Sequence, residues 1–105
     1  MLRITVHKKE TVATVQLEGR LAGLPAVTEV KRCWKNLRSE FPDWPLRIDL
    51  RAVTFIDREG KLFLQHAFHQ GAGFLFSGCL TRAYVEEITG SAQNHGDGDK
   101  EERTV

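Results

Sequence analysis

Leu46-Arg47-Ile48-Asp49-Leu50-Arg51-Ala52-Val53-Thr54-Phe55-Ile56-Asp57-Arg58-Glu59-Gly60 passes from a strand pattern to a helix start with no linker between them. Leu46, Ile48 and Leu50 fall on one side of an extended chain, and Val53, Phe55 and Ile56 carry the apolar run to its exit, as a largely buried strand requires. Asp49 is expected to face outward there and to hold a structural salt bridge or turn hydrogen bond. Asp57 then suits a helix cap, because its carboxylate can accept one of the N–H groups that a first helical turn leaves unpaired. Glu59 and Gly60 become the second and third helical residues. An acid at the second position gains about 0.3–1 kcal/mol from the helix dipole. Leu62, Phe63, Leu64, Ala67 and Phe68 supply a broad apolar face for the helix that follows.

Upstream, Leu2, Ile4 and Val6 alternate with Arg3, Thr5 and His7, the period of a half-buried first strand. Lys8-Lys9-Glu10 is a polar turn without the usual Asn-Gly signal. Ala13, Val15 and Leu17 share one face of a second strand, which Gly19 is expected to end. Pro25 suits the first helical position, where a missing N–H costs nothing. Val27, Val30, Trp34 and Leu37 then recur at helical spacing, with Lys31, Arg32, Lys35 and Arg38 over the remaining surface. Phe41-Pro42-Asp43-Trp44-Pro45 is a rigid connector, since each proline pushes its predecessor out of the helical region.

Downstream, Gly71 and Gly73 end the second helix and start a short buried strand, Phe74-Leu75-Phe76. Thr81 is expected to cap a third helix carrying Ala83, Tyr84, Val85 and Ile88, closed by Gly90. The order is β-β-α-β-α-β-α. A hairpin followed by two strand–helix–strand crossovers predicts an α/β fold with a four-stranded mixed sheet packed by helices. The domain is expected over 1–90. The segment 91–105 has almost no apolar residue and is expected to be a disordered polar tail, since burial there cannot offset ordering entropy.

The 105 residues suffice for one core without staples, and 41% apolar and 28% charged content is ordinary for a globular chain. A net charge of +1 gives no bulk electrostatic pull toward nucleic acid or membrane. Asp97, Asp99, Glu101 and Glu102 outweigh Lys100 and Arg103 in the tail, leaving the body at about +3. No apolar leader and no long apolar run occurs, so neither signal peptide nor membrane span is expected. Cys33 and Cys79 have no metal or redox spacing and read as reduced core thiols, which with the rest points to a cytoplasmic address.

The apolar strand with an inner Asp49, then Phe55-Ile56-Asp57-x-x-Gly60 and an apolar helix, resembles the signature of STAS domains, the sulfate-transporter and anti-sigma-factor-antagonist modules of bacterial regulation. Val15-Gln-Leu-Glu-Gly-Arg-Leu21 matches the family's apolar strand and glycine before the first helix, and the resemblance spans roughly 1–90. In signalling members the two residues between Asp and Gly are small and hydroxylic, and the second accepts phosphate from a histidine-kinase-like ATPase. Here they are Arg58 and Glu59. Glutamate accepts no phosphoryl group by that route, and its single charge imitates a phosphoserine of about −1.5 to −2 only in part. Thr54 precedes the loop and does not match the acceptor position.

The resemblance therefore implies a non-catalytic protein-interaction module, anti-sigma factor antagonist-like, without phosphorylation at the usual serine position. Its partner-binding residues would be Asp57, Arg58, Glu59, Gly60, Lys61 and Leu62. The partner would be an anti-sigma or kinase-type ATPase, a stressosome-like scaffold or another STAS protein, with a homodimer also open. An alternative is an accessory subunit bracing the ATPase of an ABC-type lipid transporter, a role that needs no acceptor serine. A bland reading of Asp57 and Glu59 stands beside these: both stabilise a helix start. Arg58 is expected to pair with Glu59.

No other pattern suggests catalysis, and no cofactor or metal is expected. His66 and His69 lack a carboxylate or cysteine at ligand spacing. Glu86 and Glu87 are adjacent on a helix and point apart. Ser39, Ser77 and Ser91 lack a nucleophile elbow, and Gly71-Ala72-Gly73 lacks a phosphate lysine. Trp34, Trp44, Phe63 and Phe68 read as core residues, with Trp44 expected to be partly exposed.

Overall fold

A computed structural model describes residues 1–89 and 102–104. The chain runs β1 (Leu2–Lys9), β2 (Val12–Leu21), α1 (Leu24–Glu40), β3 (Leu46–Ile56), α2 (Arg58–His69), β4 (Gly73–Ser77) and α3 (Gly78–Thr89). These are the four strands and three helices of the expected order. A short further strand, β5 (Glu102–Thr104), pairs antiparallel with β4, so the sheet reads β1-β2-β3-β4-β5. The rest of the tail, 90–101 and 105, lies outside the described residues. β1 and β2 are antiparallel, while β2, β3 and β4 run parallel through helical crossovers.

One core forms between the sheet and the helices. Ala13, Val15 and Leu17 of β2, Ile48 and Leu50 of β3 and Phe74 of β4 meet Val27, Val30, Leu64, Ala67 and Val85 of the helices, all at most 1% exposed. Each large side chain buried this completely contributes about 1.5–3 kcal/mol relative to exposure. α1 packs beside α2, and α2 beside α3.

Several local expectations change. β2 continues through Gly19 to Leu21, because the Arg20 amide finds the Met1 carbonyl at 3.2 Å and the ladder to β3 resumes beyond it. α3 starts at Gly78, directly after β4, so Thr81 lies inside the helix rather than at its cap. Gly78 at φ +80° makes the turn that Thr81 was expected to introduce. The first hairpin turns on Glu10 and Thr11, both at positive φ (54° and 62°), with Lys9 opposite Val12. Non-glycine residues thus occupy a two-residue turn that ordinarily selects Asn-Gly.

β3 explains why its exit was hard to read. The partner of Gln16 is Asp49 but that of Glu18 is Ala52, and Gly19 faces Val53 while Arg20 faces Phe55. β3 thus carries one extra residue twice, and each bulge reverses which parity points inward. The buried set is accordingly Leu46, Ile48 and Leu50, then Val53, then Ile56. Phe55 is turned out of the core at 36% exposure, with the Arg20 guanidinium 4.6 Å above its ring.

Asp49 points away from the helices, as expected from its parity, yet it is only 6% exposed, so it is covered rather than solvated. Arg51, two residues along and on the same side of the strand, folds back over it. The Arg51 amide and Nε donate to Asp49 Oδ1 at 3.0 Å each, and a terminal guanidinium nitrogen donates to Oδ2 at 2.9 Å. Burial pushes this carboxyl up, but the Arg51 bonds and charge outweigh it and hold the group below the usual carboxylate range. The structural ion pair expected at Asp49 is present.

Cys33 is half-buried rather than in the core. It sits off the stripe defined by Val27, Val30, Trp34 and Leu37, one residue short of Trp34 and so about 100° around the helix. Burial pushes its thiol up, as does the Glu29 charge, while Arg32 acts the other way. Nothing is described of the Cys79 side chain.

Candidate functional site

The strand-to-helix junction is built as its sequence predicts and then tied to a second junction. Asp57, in extended conformation, caps α2: its Oδ1 accepts from the Gly60 amide at 2.8 Å. Its Oδ2 accepts from the amide of Gly23, the residue before α1, at 2.9 Å. The Asp57 amide in turn donates to the Leu21 carbonyl at 3.2 Å. One residue therefore fastens both helix starts to the ends of β2 and β3. The bonds from Gly23 and Gly60 hold the Asp57 carboxyl below the usual range, because protonation would forfeit acceptor strength toward both amides.

Gly60 completes the joint. A Cβ there would lie 2.6 Å from the Leu21 carbonyl oxygen, 2.9 Å from Leu21 Cγ and 3.0 Å from Ile56 Cγ2. Only glycine lets the first turn of α2 lie this close to the end of β2. At its other end α2 closes through Gly71 at φ +95°: the Ala72 amide donates to the Ala67 carbonyl and the Gly71 amide to that of Phe68, each at 3.0 Å. This pair of bonds satisfies terminal carbonyls that would otherwise be orphaned.

The six residues expected to form a contact site are together, but they divide. Asp57 is committed to internal hydrogen bonds and Gly60 is buried. Arg58, Glu59 and Leu62 are exposed, Leu62 by 48%. Lys61 is half-buried, its ammonium 5.1 Å over the Tyr84 ring and 3.3 Å from the Glu87 carboxylate. Arg58 and Glu59 do not pair. Consecutive helical residues diverge by about 100°, and Arg58 borders a hollow with Gln65 and Ile88 while Glu59 borders the opposite side, toward α1.

Two features were missed in the sequence. Leu24 (67% exposed) adjoins Gly23, and Phe55 precedes the cap by two residues, so both border the same tied junction as Leu62. With Met1 they are the large exposed apolar residues among those described. The other feature is a groove of about 620 Å³ between α1 and α2, lined from Lys31 to Arg38 on one side and from Glu59 to Gln70 on the other. Helical spacing could have suggested its α1 bank, but not that α2 would stand opposite.

The aromatic residues fall largely as expected, although Phe68 is half-buried against the core rather than within it. Trp34 and Phe63 are 3% and 2% exposed, and Trp44 is half-buried, stacked on Phe41 at 4.2 Å. Thr54 Oγ1 donates to the Gly19 carbonyl. His66 and His69 are both exposed, His66 on the groove and His69 against Phe68. Among the described residues no cluster of three or more His, Cys, Asp or Glu converges, and no helix is long and apolar enough to cross a membrane.

This architecture, with its capped β3–α2 junction, is the STAS fold. The chain is similar to a crystal structure described as an anti-sigma factor antagonist from Mycobacterium paratuberculosis, with a TM-score of 0.72 and 22% identity over 86% of this chain and 79% of that one. At that identity the likeness establishes the fold. No family model and no curated protein matches the chain.

Proposed function

We propose that this protein is a non-catalytic interaction module of the anti-sigma-factor-antagonist kind, and that it does not run a serine phosphorylation switch at its α2 start. The carrying observation is the division of the loop: Asp57 and Gly60 are consumed by the fold, while Arg58 and Glu59 project from it beside exposed Leu24, Phe55 and Leu62. Apolar side chains left in water around a rigid, charged helix start favour a protein partner, since covering them is the main gain available on contact. The fold likeness supports the same reading. The partner is a regulatory protein, an anti-sigma or kinase-type ATPase or another STAS protein.

Glu59, which offers no hydroxyl, also favours the second reading, a brace on the ATPase of an ABC-type lipid transporter. Tagged wild type, Glu59→Ser and Phe55→Glu, captured in parallel from the native host and identified by mass spectrometry, separate the two. A kinase-like ATPase gained by Glu59→Ser supports the signalling module. Transporter subunits retained by both wild type and Glu59→Ser support the brace. Partners unaffected by Phe55→Glu and by a matching Leu24→Glu would remove the junction face from both readings.

A further inference from the structure

We infer that the α1–α2 groove is the seat of an acidic amphipathic helix presented by a protein partner. The inference rests on the reading of the chain as an interaction module and specifies the chemistry of what it binds. The floor of the groove is closed by Trp34 and Phe63, which meet edge to face with centroids 6.4 Å apart and are already buried, so the apolar surface on offer is that of Leu62, half in water, and of the methylene stems of Lys31, Lys35 and Arg38. The one polar atom of the Trp34 ring is already used, its Nε1 donating to Gln70 Oε1 at 2.9 Å. The groove therefore offers the Leu62 side chain and the aliphatic stems of its basic bank rather than an unmet hydrogen bond, and apolar side chains are what these can reward.

The α1 bank is cationic. Lys31, Lys35 and Arg38 recur at i, i+4 and i+7, a stripe about 10 Å long at the rise of an α-helix. Among the described residues Lys31 and Lys35 have no ion-pair or hydrogen-bond partner, whereas the adjacent Arg32 is held by Glu29 at 2.6 Å on another face of the same helix. Like charges spaced one turn apart without a counter-charge repel one another and are relieved by an anionic neighbour. The opposite bank carries a single acid, Glu59, near the α2 start, and His66 further along.

A groove between two helices, with Leu62 exposed in it and basic side chains along one side, matches the helix-in-groove mode of recognition, in which anchors at i, i+3 or i+4 and i+7 form the apolar face of the occupant. The complementary occupant carries Asp or Glu on the flank that faces α1. The groove opens beside the α2 start, so such a helix extends the junction face into one continuous contact that includes Leu62.

The test uses synthetic helical peptides of about 14 residues on the full chain, followed by Trp fluorescence and calorimetry. One carries leucines at i, i+3, i+4 and i+7 with glutamates along one flank. A second replaces those glutamates with lysines, a third scrambles the acidic sequence, and dodecanoate serves as a small amphipathic anion. Binding of the acidic peptide at least about tenfold tighter than the other three is expected, because steering and pairing act on charge while the scramble loses the apolar stripe. Lys31→Glu with Lys35→Glu should weaken the acidic peptide about tenfold and strengthen the lysine peptide, with thermal unfolding confirming that the variant is folded. Equal binding of the acidic, lysine and scrambled peptides, indifference to charge reversal, or tighter binding of dodecanoate would each overturn the inference. If these fail while Phe55→Glu still abolishes partner capture, the groove loses its role and the interaction module keeps its junction face.

Discussion

Asp57 and Gly60 bracket Arg58 and Glu59 in the first turn of α2, and the outer and inner pairs obey different constraints. The outer residues are fixed by neighbours distant in sequence: Asp57 by the amide of Gly23, Gly60 by the carbonyl of Leu21. The inner residues touch nothing that dictates their identity and are exposed. A signature of this shape therefore mixes two kinds of information. Its ends report how the fold is held together, and its centre leaves two exposed side chains that the joint does not specify. Arg58 and Glu59 can therefore vary without disturbing the joint that Asp57 and Gly60 make.

The contrast is broken most severely at Gly60. Gly60→Val should cost about 3 kcal/mol, since the added carbons meet backbone and two packed side chains that have little room to give; urea unfolding reads the loss directly. Asp57→Ala should cost about 2 kcal/mol in the same measurement, because it removes a helix cap and orphans the Gly23 amide as well. Asp57→Asn should recover part of that loss.

The acid limb of stability sharpens the same point. The folded carboxyls of Asp57 and Asp49 lie below their unfolded values. Their contribution is complete above the unfolded carboxylate value near ~3.9 and fades as the pH falls through the folded values. Unfolding free energy should fall from pH 5 toward pH 2, and the Asp57→Asn variant should show a shallower fall.

At the opposite end of the sheet the hairpin turn reverses the lesson. Glu10 and Thr11 hold a conformation for which their side chains are ill suited. Glu10→Asn with Thr11→Gly should stabilise the protein by about 0.5–1 kcal/mol, the relieved strain being partly offset by a more flexible unfolded chain. Smallest of all, Arg58→Ser should shift stability by no more than about 0.5 kcal/mol, as exposed positions do, and Glu59→Ser by no more than the ~1 kcal/mol its helix-dipole contact can supply. A larger shift would mean that the inner pair also belongs to the joint.

Legibility followed the range of the interactions. The periodicity of Val27, Val30, Trp34 and Leu37 gave α1, and alternation gave β1 and β2, because each pattern is a local consequence of which side must be buried. The outward turn of Phe55 was hidden, since it depends on two bulges that exist only relative to β2. The burial of Asp49 was hidden for a related reason: alternation tells which way a side chain points, not whether Arg51 will fold over it. Thr81 misled because a good capping residue competes with a glycine turn three residues earlier.

The sequence by itself determined the succession of the first four strands and the three helices, the cap at Asp57 and the need for glycine near it, all set by hydrogen bonding and sterics within a few residues; β5 in the tail it did not show. It also determined that position 59 offers a carboxylate. The tertiary structure alone decided that the second oxygen of Asp57 reaches an amide 34 residues away, and that Lys31 and Lys35 border the same trough as Leu62. Those relations belong to the packing of α1 against α2. Burial of apolar faces fixed that packing, and the charges on the rim followed the helices that carry them.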